Sequence, residues 1–179
     1  MATEIKPPIK YDMVWTMYGK RADFFGIAER FHIDPVTARV IRNRDVITDE
    51  EIDTYLNGGL DRLHDPVMMK NMEKGCSLML EEIRSRNRIR IISDYDVDGV
   101  SSNYILYKGL QRVWEHENGL PAGDGIDYDI PHRIYDGYGI NIRMVDAAAA
   151  DQVSMIITCD NGIAAAEEIA YAKSMGMTI

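Results

Sequence analysis

The feature that most constrains this chain is a change of grammar at Arg88. Before it, apolar residues recur at helical spacing; after it, short β-branched runs alternate with amphipathic helical stretches. Ile89, Ile91 and Ile92 form a short strand, and Ser101 to Trp114 reads as a helix with Ile105, Leu106, Leu110 and Val113 in phase. Ile126 to Ile130 alternates as a strand before Pro131, and Asn141 to Ala149 returns to helix. Ser154 to Cys159 is a second strongly apolar strand, Ala164 to Met175 another helix, and Met177-Thr178-Ile179 the opening of one more strand. This alternation predicts an α/β fold, a parallel sheet with helices on both faces.

A helical N-terminal leader, 1–66, is expected ahead of the α/β part, 67–179. From about Tyr18 to Asn57 the pattern is one of short helices, with Phe24, Ile27, Ala28 and Phe31 on one stripe and Val36, Val40 and Ile41 on the next. Thr48-Asp49-Glu50-Glu51 is a capping box, and the helix it opens ends at Asn57-Gly58-Gly59. Met68 to Ser85 reads as one long helix with Met69, Met72, Cys76, Met79, Leu80 and Ile83 on its apolar side. The segment Met1 to Lys10, with Pro7 and Pro8, has no apolar signal region, and no later stretch reaches membrane-spanning length. Cys76 and Cys159 stand far apart, in no metal-binding spacing, and read as two reduced, buried thiols of a cytoplasmic protein.

Chemistry concentrates at the strand exits. Asp94-Tyr95-Asp96-Val97-Asp98-Gly99 lies where a strand gives way to a helix, and in open parallel sheets ligands bind at the carboxyl ends of strands. Three crowded carboxylates repel one another, and a divalent cation with a preference for hard oxygen ligands, Mg²⁺ or Mn²⁺, compensates them. An EF-hand also begins in this way but needs a bidentate Glu at its twelfth position, which here is Ile105. An aspartyl-phosphatase motif wants Thr or Val at its fifth position; counted from Asp94 that place holds Asp98, and only the count from Asp96 reaches a Val, Val100. Asp160, in Thr158-Cys159-Asp160-Asn161-Gly162, ends the second strand. If the two strands are neighbours, Asp160 shares an edge with Asp94 and Asp96, and the three can hold two cations, an arrangement that supports in-line displacement at phosphorus. The formal net charge of −9 argues against gripping nucleic acid with the whole surface. The basic run Arg84, Arg86, Arg88 and Arg90 reads as a solvated strand edge in preference to a DNA-facing patch.

Taken together, these segments resemble the DHH superfamily of phosphoesterases, in the form of its single-stranded-DNA exonuclease branch. Ile91 to Ser102 is similar to the family's first motif, Ile130 to Gly139 to its Pro-x-Arg…Gly-Tyr-Gly segment, and Ile156 to Ile163 to its second motif. Leu63-His64-Asp65-Pro66 and the helical leader resemble the same branch. The resemblance implies Asp94 and Asp96 as metal ligands and Asp160 as a bridging ligand. Asp98 matches the motif and ranks lower, as a supporting or helix-capping group. It further implies substrate contacts from His132, Arg133, Tyr138 and Gly139, a two-metal Mn²⁺ or Mg²⁺ centre, and 5′-to-3′ hydrolysis of single-stranded DNA in repair and recombination. Partners implied are single-stranded DNA and, with it, single-stranded-DNA-binding protein and a helicase. Two positions depart from the pattern: Ser93 stands where Gly is common, and His132 where Asn is common. The Asp-His-His run that names the superfamily has no counterpart up to Ile179, so this stretch alone is expected to hold part of the metal site and little activity. Alternatives within reach of the same motifs are a phosphodiesterase of short oligonucleotides or cyclic dinucleotides, and a non-catalytic replication scaffold.

Overall fold

Each helix near the N-terminus starts at a side chain able to cap it. In the computed structural model, which describes residues 20–179, α1 (Phe24–Phe31) is capped by Asp23 and α2 (Pro35–Asn43) by Asp34, with Pro35 in the first turn where its missing N–H does no harm. Helix α3 (Asp49–Asn57) opens on the Thr48–Glu51 capping box, both halves of which are formed. The chain divides into two compact units, one running to Asp65 and the other from Pro66. The first is held by Ile27, Ala28, Ala38, Ile41 and Ile52. Val36 and Val40, expected on the apolar stripe of α2, are 69% and 42% exposed, because Ala38 and Ile41 occupy the face that α1 covers. Tyr18, and the Met1–Lys10 segment with Pro7 and Pro8, fall outside the described residues.

The second unit is a three-stranded parallel sheet in the order β2-β1-β3, with β1 at Arg88–Ser93, β2 at Ile126–Asp129 and β3 at Val153–Cys159. Thr178 adds a single parallel bridge outside β3, so the expected last strand is present only as its first contact. Helices α4 (Met72–Arg84) and α5 (Val97–Asn118) cover one face, packing Ile83, Leu110 and Trp114 on Ile89, Ile91, Ile126 and Met155. Helices α6 (Ile142–Ala150) and α7 (Ala166–Ser174) cover the other, with Met144, Val145, Ala148 and Ala172 on Ile92, Val153 and Ile156. Burial of strand residues from both faces gives the continuous apolar runs that mark a parallel sheet.

Four expectations need correction. The long helix beginning at Met68 starts at Met72, after a 3₁₀ turn at Pro66–Met68 and Asn71 in the left-handed region. Helix α5 begins at Val97, inside the acidic motif, and its buried face runs through Asn103, Leu106, Leu110 and Trp114. Ile105, 70% exposed, is off that face, since a period of 3.6 carries it round to water. Cys76 is exposed and Cys159 half-buried, so neither is a core thiol. Strand β1 is central, not an edge. Arg90 on it is buried and pairs with Asp127 and Asp151, while Arg88 pairs with Asp127 and Arg84 with Glu117. A guanidinium is tolerated under the sheet only with such partners, and those partners take up the charge a DNA patch would need.

Candidate functional site

Register decides what meets at the carboxyl end of the sheet. Ser93 is paired with Cys159, so the next residue of each strand, Asp94 and Asp160, leaves the sheet side by side on strands about 4.8 Å apart. Asp94 is buried, and its Oδ1 has no hydrogen-bond partner. Asp96 is the N-cap of α5; its Oδ1 accepts from the Gly99 N–H at 2.9 Å. Gly99 has no substitute there, because a Cβ would lie 2.3 Å from the Asp94 carbonyl oxygen. Asp98 sits in the first turn of the same helix and is exposed. Asp160 takes φ of 58°, in the left-handed region that Asp and Asn tolerate better than other side chains.

Electrostatics place these groups in one shared space. The carboxyls of Asp96 and Asp160 act on each other and in opposite directions. Asp160 is pushed up by desolvation and then by the charge of Asp96, with Asp98 and Asp94 adding to it. Asp96 is held down, first by the Gly99 N–H and further by Asp160, the Asp98 N–H and the Arg133 charge.

The loop between β2 and α6 closes over this crevice. The Tyr138 hydroxyl donates to the Asp160 carbonyl at 2.7 Å, and its own proton is held more tightly through desolvation and the charges of Asp160, Asp94 and Asp96. Tyr138 is therefore a strut for the Asp160 turn, with its ring left 66% exposed. Gly139, at φ 73°, brings the loop against Asn161, where a Cβ would sit 3.2 Å from the Asn161 Cβ. Arg133 stacks on Tyr95 with its Cζ 4.4 Å from the ring centroid. His132 stays on the loop: its Nδ1 accepts from the Ile134 N–H, its ring stacks on Tyr135, and its N–H donates to Asp136, which Arg143 of α6 grips twice. The bonds of His132 thus build the turn and run to none of Asp94, Asp96 or Asp160.

Two residues have roles that their sequence context does not show. The Asn161 amide donates to the carbonyls of Ile92 and Cys159, both at 3.1 Å, pinning the tips of β1 and β3 together. Ser93, fully buried, accepts from Asn103 at 2.9 Å beneath the acidic turn. The departure from Gly at position 93 is thus matched by a polar partner one helix away. Asn161 is legible along the chain only as turn chemistry; that its side chain reaches across to β1 is a fact of packing.

The donor set suits a hard cation. It offers only carboxylate oxygens, an orphaned buried oxygen on Asp94, and one neighbouring cationic side chain, Arg133, whose charge acts on Asp96. Among the described residues, however, no three His, Cys, Asp or Glu side chains stand ready as a complete ion cage, and one Asp96 oxygen is engaged by its helix cap. Among those residues there is also no helix long and apolar enough to cross a membrane.

The profile of the DHH family, N-terminal domain, matches residues 88–179. Single-stranded-DNA-specific exonuclease RecJ of Bacillus subtilis strain 168 is 31% identical over 153 residues, covering 86% of this chain and 18% of that protein. The protein of the same name from Escherichia coli strain K12 is 26% identical over 147 residues, covering 82% of this chain and 23% of its own length. The chain thus spans about a fifth of the relatives it matches. A crystal structure of exonuclease RecJ bound to manganese superposes with a TM-score of 0.51 at 29% identity, over 60% of this chain and 26% of that one. A RecJ structure in complex with Mn²⁺ from Thermus thermophilus reaches a TM-score of 0.52 at 21% identity, over 86% of this chain and 19% of that one, which speaks to the fold alone. The match opens at the first residue of β1 and takes in both acidic strand tips together with the loop that covers them, and on that ground the chain belongs to the DHH family.

Proposed function

We propose that residues 67–179 are the leading part of a divalent-metal-dependent phosphodiesterase centre that hydrolyses single-stranded DNA from its 5′ end, with 1–66 as a helical leader. The observation that carries this reading is that Asp94 and Asp160 leave adjacent strand tips side by side, with Asp96 close enough to act on Asp160. Asp94 and Asp96 would hold Mn²⁺ or Mg²⁺, Asp160 would bridge two such ions, and Asp98 would support them from the helix. A divalent cation, when bound, supplies charge neutralisation and Lewis-acid polarisation of a phosphoryl oxygen.

The chain's own residues do the rest. Asn161 keeps the two tips at fixed separation, and Tyr138 fixes the turn that presents the Asp160 carboxylate. Arg133, held over the Tyr95 ring, offers a guanidinium fork to a phosphate oxygen. Exposed rings and aliphatic side chains on the rim, Tyr138, Ile134 and Ile163 among them, suit unpaired bases better than a rigid duplex. The homologues named as single-strand-specific exonucleases support the substrate class. A cytoplasmic setting, with single-stranded-DNA-binding protein and a helicase as partners in repair and recombination, belongs to the same proposal.

Binding of Mn²⁺ by the chain, followed by electron paramagnetic resonance, is the direct test. Asp160→Asn removes the charge and keeps a side chain that accepts the left-handed backbone, and it is expected to weaken binding at least tenfold. In a longer polypeptide carrying this domain, the same change is expected to abolish Mn²⁺-dependent release of nucleotides from single strands. Unaltered Mn²⁺ binding in the variant would overturn the carboxylate assignment.

A further inference from the structure

A groove of ≈ 300 Å³ runs beside the acidic crevice, lined by Val100, Asn103, Tyr104, Tyr107, Tyr128 and Ile130. We propose that it receives unstacked bases of a single strand whose backbone lies at the carboxylates, a proposal that rests on the reading of the crevice given above. Three observations point to this occupant.

The first is continuity. Asn103 in the groove wall donates to Ser93, the residue before Asp94, and Val100 follows Gly99, which lies against the Asp94 backbone. The opposite wall, Tyr128 and Ile130, leads through Pro131 to Arg133, stacked beside Asp96. Both walls therefore end at the proposed site. The second is ring geometry. Tyr107 and Tyr128 meet edge to face, centroids 5.5 Å apart at 78°, and Tyr128 stays exposed on the groove. Tyr104 and Tyr128, 65% and 55% exposed, stand on the same groove with Val100 and so form a contiguous apolar and aromatic patch.

The third is charge. The protein carries 29 acidic against 20 basic residues, and a polyanion approaching its acidic crevice is repelled by most of the surface. The six lining residues include no Asp, Glu, Lys, Arg or His. A strand seated here puts flat, neutral bases against phenol rings and leaves its phosphates outward, so affinity comes from stacking in place of cationic contacts. Stacking of this kind accepts any base sequence, because every base has a π-face.

The test titrates the chain with fluorescent oligothymidylate and with an abasic strand of equal phosphate count, both with Ca²⁺ in place of Mn²⁺. Tyr104→Leu and Tyr128→Leu keep apolar bulk and remove the ring; urea midpoints equal to the unaltered chain's establish that the variants are folded. Each variant is expected to lose about tenfold in affinity for oligothymidylate, to bind the abasic strand as before, and to keep the same salt dependence. Unchanged oligothymidylate binding, or an equal loss on both strands, overturns the groove proposal while leaving the crevice reading intact. Failure of the unaltered chain to bind either strand overturns both.

Discussion

The two ends of one sheet treat charge in opposite ways. At the amino end, Arg90 lies buried with its Nη2 2.7 Å from Asp127 and 2.8 Å from Asp151, and Arg88 joins it on Asp127 at 2.6 Å. At the carboxyl end, Asp94, Asp96 and Asp98 all act on Asp160, and Arg133 is the cationic side chain that acts on Asp96. The first set of charges is closed, satisfied within the chain; the second is open and has, among the described residues, only Arg133 set against it. Protons report the same difference. Burial raises the Asp127 carboxyl, but the hydrogen bonds from Arg90 and Arg88 outweigh it and leave it below the ordinary range, whereas Asp160 is pushed above that range. A charged cluster on its own is thus uninformative, and what marks a site is the absence of its counter-charge.

The largest effect should come from opening the closed end. Asp127→Ala leaves Arg88 without its carboxylate and Arg90 with Asp151 alone, and is expected to lower unfolding free energy by about 3 kcal/mol in urea titration. An ordinary surface loss of a few tenths would mean the network is solvated and the contrast false. Closing the open end should come next. Mn²⁺ at a hundredfold excess over its dissociation constant is expected to stabilise the chain by about 2.7 kcal/mol, read as a raised melting temperature that Asp94→Asn removes. A third change tests what holds the open end together without charge: Asn161→Ala, losing two hydrogen bonds between strand tips, should cost about 1–2 kcal/mol and also reduce the Mn²⁺ response.

The smallest effect is the pH dependence, and it has opposite signs at the two ends. Asp127, depressed in the folded state, contributes stability that is present above the ordinary carboxylate value and lost as pH falls through its lower folded value. Asp160, raised in the folded state, disfavours folding once ionised, and that penalty vanishes on acidification through the ordinary range. Metal-free Asp160→Asn should therefore melt slightly above the unaltered chain at neutral pH, with the gap closing as acid is added. A gap that widens in acid would mean Asp160 is stabilised, not strained, by its neighbours.

Much of this is legible in one dimension. The β-branched runs and the helical stripes between them point to the parallel sheet with two covered faces, because burial on both sides leaves a continuous apolar signature in a strand. The capping box at Thr48 is readable because its partners are three residues apart. The departures have a common source. Ile105, Val36 and Val40 are apolar in character, yet which face of a helix is buried depends on what packs there. Arg88 and Arg90 read as a surface run because nothing local shows that Asp127, 37 residues from Arg90, will lie beside them.

By itself, the sequence determined that this chain folds as strand and helix in alternation and that carboxylates stand at the exits of two strands. Hydrophobic period and residue type are local properties, carried by neighbours along the chain. Only the tertiary structure decided that β1 lies next to β3, in a register that sets Asp94 beside Asp160, and that the equally charged amino end is neutralised from within. Pairing and counter-charge are relations between distant segments, fixed when the sheet closes around its core.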